Sequence, residues 1–134
     1  MSNAVGQEAR QQVIERADHI CEYCLIHEDD TFYGCHVDHI ISVKHGGPAS
    51  PENLACACAV CNRAKGSDIG SLDWETGEFC RFYNPRTDRW SEHFRLTGSE
   101  IEPLTPIGRA TARILSFRTL ERVIEREALI AVGR

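Results

Sequence analysis

The chain has 134 residues, 42% of them hydrophobic, with 15 Lys and Arg against 20 Asp and Glu for a formal net charge of −5. That length suits one domain whose modest core would gain from a staple, and the acidic balance argues against a protein that coats nucleic acid nonspecifically, because such binding draws on phosphate neutralisation. No charged-then-apolar leader opens the sequence and no apolar run approaches the roughly 18 residues that span a bilayer, so the expected location is the cytoplasm.

The charge is unevenly spread: residues 1–30 carry −5, residues 31–80 carry −3 and residues 81–134 carry +3. An acidic front and an arginine-rich rear leave room for a basic face. Met1-Ser-Asn-Ala is given no structural weight. Seven cysteines is an odd number, and in a reducing compartment thiols serve as metal ligands more readily than as disulfides.

Taken in order, Gln7 to Ala17 places Val13, Ile14 and Ala17 on one stripe of a helix that ends near His19. Cys21-Glu-Tyr-Cys24 follows, then an acidic loop with Glu28, Asp29 and Asp30. Cys35 to Val43 is apolar and β-branched enough for a strand, ended by the turn sequence His45-Gly-Gly-Pro48. Leu54 to Ala59 reads as a return strand and Cys61 to about Ser67 as a short helix. Beyond Trp74, a tight turn over Glu75 to Glu78 precedes a strand from Phe79 to Tyr83. Arg89 to Leu96 and Ile101 to Leu104 then flank a Gly-containing hairpin loop, and Pro106 opens a helical tail, broken once, whose apolar residues recur at three-to-four spacing.

Cys21-x-x-Cys24 and Cys58-x-x-Cys61 are two pairs at the spacing with which thiolates from one knuckle reach a common tetrahedral ion. Four thiolates leave no open position, which makes the expected zinc site structural. The 33 residues between Cys24 and Cys58 exceed the usual ribbon spacing, so an active hairpin is expected to be inserted there. Cys35, Cys56 and Cys80 are left over and read as small buried hydrophobes.

Inside the insert lie Asp38-His39 and Asn53, with Asn62 directly after the last knuckle cysteine. Cys21-x-x-Cys24, Val37-Asp-His-Ile-Ile41, His45-Gly-Gly47, Glu52-Asn-Leu54 and Cys58-x-x-Cys-Asn-x-x-Lys65 together resemble the four-cysteine branch of the HNH nucleases, across residues 16–68. The resemblance implies a small ββα-metal core; with the zinc staple it is expected over residues 5–70, and the C-terminal β-hairpin and helical extension read over residues 71–134 is expected to pack on it, for an α+β fold. It implies metal-dependent hydrolysis of phosphodiester bonds in nucleic acid, DNA before RNA. His39 and Asn53 are the expected catalytic residues, His39 as general base and Asn53 to orient it, and Asp38 and Asn62 are the expected ligands of a catalytic cation. An imidazole, with an ordinary pKa of about 6.5, suits proton transfer near neutral pH.

Oxygen donors such as Asp38 and Asn62 favour Mg²⁺ or Mn²⁺ over a second closed zinc. Asn62 stands where the family name has its second histidine, which bears on metal preference. Because neighbours on a strand face opposite ways, Asp38 and His39 are expected to sit at a bend or bulge. Arg63, Lys65 and Lys44 are the expected nucleic-acid contacts, whereas His36 and His45 read as structural or solvent-facing. Trp90 and Phe94, flanked by Arg81 and Arg95, read as a small hairpin core before a base-stacking surface. The C-terminal helices offer a packing face on the front of the chain or a homodimer surface. Two rival readings are a zinc-stabilised nucleic-acid-binding or adaptor module without turnover, and a thiol redox protein.

Overall fold

Val13 is the buried member of the first apolar stripe: it lies on helix α1 (Gln7–Arg16) and packs with Cys35, Leu54 and Cys56, with Ile14 and Ala17 beside it. The computed structural model describes residues 4–134, so Met1–Asn3 lie outside the described residues. Asp18 and His19, both at positive φ, turn the chain out of the helix, with the His19 N–H donating to Ile14 O at 3.0 Å.

Strand β1 (Cys35–His39) pairs antiparallel with β2 (Leu54–Cys58), Cys35 opposite Cys58 and His39 opposite Leu54. All five residues of β2 are buried. The strand expected to run on to Val43 stops at His39. Ile40 N–H still donates to Asn53 O at 2.8 Å, but both backbone groups of Ile41 are taken by the Asn53 side chain, each at 2.9 Å. A second bond from Asn53 Nδ2 to Pro48 O at 2.9 Å closes the loop. Gly47 makes this closure fit, since a Cβ there would lie 1.7 Å from Ile41 O.

Cys58 caps helix α2 (Ala59–Lys65), its Sγ accepting from the Cys61 N–H at 3.4 Å. That cap explains why the helix begins two residues before the expected start at Cys61. Gly66, at φ 52, ends it.

The described chain divides into two compact units, one running through Ile69 and adding Asn84–Thr87, the other made of Gly70–Tyr83 and Asp88–Arg134. Asn84–Thr87 is held in the first unit by an Arg86–Glu22 ion pair. In the second unit, β3 (Gly70–Asp73) and β4 (Glu78–Arg81) form a hairpin. Gly-Ser-Leu-Asp has no β-branched or aromatic residue to mark it as a strand in the sequence. The missing side chain of Gly70 instead leaves room for the Phe79 ring.

Helix α3 (Trp90–His93) occupies the start of what reads as a strand from Arg89. β5 (Phe94–Thr97) and β6 (Glu100–Pro103) then pair about Gly98, followed by α4 (Pro106–Ile114) and α5 (Leu120–Ala131). Phe94 centres the aromatic core of this unit, 5.5 Å from the Tyr83 and Phe117 rings and 5.2 Å from Trp90. No described helix is long and apolar enough to cross a membrane.

Candidate functional site

Both Cys-x-x-Cys pairs converge. The Sγ atoms of Cys21, Cys24, Cys58 and Cys61 all lie within 4.8 Å of one another, with Cys24 and Cys58 at 3.6 Å. A tetrahedral ion with metal–sulfur bonds of about 2.3 Å sets its sulfurs roughly 3.8 Å apart, so the donor set fits a metal ion. Each knuckle also turns an N–H onto its leading sulfur, Cys24 onto Cys21 at 3.5 Å and Cys61 onto Cys58 at 3.4 Å. Burial pushes the Cys21 and Cys61 thiols up, while thiol donors from Cys21, Cys24 and Cys61 pull Cys58 down. A buried cation resolves that conflict by taking all four as thiolates. Cys35 and Cys56 are buried in the core, as expected of small hydrophobes; Cys80, on the β3–β4 hairpin, is half-exposed and departs from that reading.

An open cavity of about 270 Å³ lies at the end of β1, lined by Asp38, His39, Lys44 and Asn62 among others. Of the expected bend or bulge, no bulge interrupts the β1–β2 ladder, which is regular through Asp38 opposite Ala55 and His39 opposite Leu54, and a bend follows directly at Ile40. Both residues reach one cavity because they stand where the strand ends and the loop from Ile40 begins. His39 is half-buried, and its Nε2 is buried with no hydrogen-bond partner. Such an orphaned polar atom calls for a ligand, water or ion. The Asn62 carboxamide, on α2, is half-buried and makes no hydrogen bond among the described residues.

Asp38 is 4% exposed, and both its oxygens are engaged. Tyr23 donates its hydroxyl to Oδ2 at 2.7 Å, and Lys65 donates its ammonium to Oδ1 at 3.1 Å. Burial raises the Asp38 carboxyl above its ordinary range, opposed first by the Lys65 charge and then by Tyr23. Burial and the Asp38 charge push the Tyr23 phenol well up, which keeps it a donor. Each carboxylate oxygen has two lone pairs, so acceptor capacity remains for a cation.

Two residues given roles from the sequence have their polar side-chain atoms engaged within the protein. Lys65, expected on a phosphate, is 1% exposed, with its remaining contact the His39 carbonyl at 2.9 Å. An amine so enclosed serves the protein interior. Asn53, expected to orient the His39 ring, instead bonds Ile41 and Pro48 and acts through the loop backbone. Arg63 and Lys44 are exposed. His36 is half-buried in β1 and His45 exposed. Tyr23 is the site residue that sequence reasoning missed; its one signal is a hydroxyl placed inside a metal knuckle.

A fold of two antiparallel strands and a helix, framed by thiol knuckles and opening on a cavity with Asp, His and Asn, defines a metal-binding domain. Residues 21–68 match the family model of HNH endonucleases, the family that the motifs of this segment resemble. No curated protein and no solved structure matches the chain.

Proposed function

We propose that the protein is a metal-dependent endonuclease that hydrolyses phosphodiester bonds in nucleic acid, DNA before RNA, with β1, β2 and α2 as a ββα-metal core. The supporting observation is the cavity that holds Asp38, His39 and Asn62 within the HNH-matching segment. Cys21, Cys24, Cys58 and Cys61 would hold a structural zinc, and Asp38 and Asn62 would offer oxygen to Mg²⁺ or Mn²⁺. The divalent cation, when bound, supplies charge that offsets the developing charge on the phosphoryl oxygens. His39 takes the proton of the attacking water. Asn53 pins the loop that follows His39, and the exposed Lys44 and Arg63 neutralise the phosphate backbone.

A reading without turnover has one observation in its favour, the occupation of both Asp38 oxygens by Tyr23 and Lys65. Nicking of supercoiled DNA with Mg²⁺ or Mn²⁺ separates the two. The expected outcome is nicking by the wild type and a loss of at least about 100-fold in His39→Ala with zinc retained, the low end for a general base. Equal inertness of both proteins returns the non-catalytic reading.

A further inference from the structure

Tyr23 lies between the first two thiol ligands, in Cys21-Glu-Tyr-Cys24, and is fully buried. Phenylalanine would fill nearly the same volume, so the hydroxyl needs its own account. It makes a 2.7 Å bond to Asp38 Oδ2. Asp38 Oδ1 is fixed by Lys65 at 3.1 Å, and Lys65 belongs to the helix that Cys58 caps and Cys61 anchors. Both restraints on Asp38 therefore grow from the thiol knuckles, one from each. A carboxylate held on two sides has a single orientation when a cation arrives.

We propose that Tyr23 is a positioning residue that couples the four-cysteine site to the second cation site, holding Asp38 in the orientation that a divalent cation shared with Asn62 requires. The proposal rests on the endonuclease reading of Asp38 as a ligand. It makes the thiol site more than a staple: order at the first knuckle passes through one phenol to the carboxylate of the neighbouring site. Tyr23 touches neither water nor phosphate in this role and acts wholly through Asp38.

The test is a Mn²⁺ titration of the zinc-loaded, full-length protein, followed by the electron paramagnetic resonance of free Mn²⁺, with zinc content measured alongside. The wild type should bind Mn²⁺ at one site that Asp38→Asn weakens strongly. Tyr23→Phe should keep its zinc and bind Mn²⁺ about tenfold more weakly, as partners of metal-ligating groups typically do. In the Asp38→Asn background the same Tyr23→Phe change should have no further effect, which a general loosening of the fold would not reproduce. Unchanged or tighter Mn²⁺ binding by zinc-loaded Tyr23→Phe, or equal losses in both backgrounds, overturns the coupling and leaves the endonuclease reading standing. If wild type and Asp38→Asn take up Mn²⁺ alike, Asp38 is no ligand, and the reading of the cation site falls together with the coupling.

Discussion

A lysine at the end of a short surface helix is ordinarily a solvated charge, and Lys65 is not. Its ammonium is spent on Asp38 and on the carbonyl of His39, so it secures two neighbouring residues of the candidate site at once. Removing one partner of such a buried pair leaves the other charge uncompensated. Lys65→Met is expected to destabilise the protein by about 3 kcal/mol in urea unfolding, and Asp38→Asn added to it should recover part of that loss, because removing both partners costs less than removing one. Gly47 shows the same dependence on a single atom. A Cβ there would meet Ile41 O at 1.7 Å and Asn53 Nδ2 at 2.7 Å, so Gly47→Ala must force the loop open. The expected loss is about 2 kcal/mol, within the range for a substitution that breaks buried hydrogen bonds. On the proposed endonuclease reading, nicking should fall with it as His39 loses the loop that follows it.

Among the elements, α2 concentrates most of the chemistry. Its cap Cys58 and its residue Cys61 face the thiol cluster, while Asn62 and Lys65, three apart, share the face turned to β1 and the cavity. In the second unit the corresponding tie is Asp73, which accepts from Thr76 in the hairpin turn at 2.8 Å and from Arg109 of α4 at 2.8 and 2.9 Å. The Arg109 guanidinium holds the Asp73 carboxyl well below the usual carboxylate range. A depressed folded pKa contributes stability above the unfolded value of about 3.9 and loses it as pH falls through the folded value. The wild-type melting temperature should therefore drop more steeply below about pH 4 than that of Asp73→Asn, which does not titrate.

For the molecule as a whole, two separate cores imply two responses to metal loss. The first unit has a thin core of Val13, Cys35, Leu54 and Cys56 beside its thiol site, whereas the second is packed around Phe94, Tyr83 and Phe117. Both tryptophans, Trp74 and Trp90, belong to the second unit. Chelation of the metal proposed for the four-cysteine site should make Cys21, Cys24, Cys58 and Cys61 reactive to a thiol reagent and melt the first unit, while tryptophan emission keeps its native wavelength. A red shift coincident with thiol exposure would show instead that the two units unfold together.

Local signals carried much of this protein in its sequence. The paired Cys-x-x-Cys spacing, the Asp-His pair and the residues after Cys61 marked the metal-binding domain, because ligand spacing within a knuckle is a property of a few adjacent residues. The stripe of α1 and the position of β2 were legible for the same reason, being set by periodicity. The strand β3 was not, since its residues have no intrinsic preference and take their form from pairing with β4. Nor were the end of β1 at His39, the inward turn of Lys65 or the bond from Tyr23 to Asp38, which join residues 12 to 27 positions apart. The sequence by itself determined which chemical groups are present and which lie in one knuckle. Only the tertiary structure decided which oxygen, amine and hydroxyl meet, because burial sets the partner a polar group must find, and burial is a property of the packed chain.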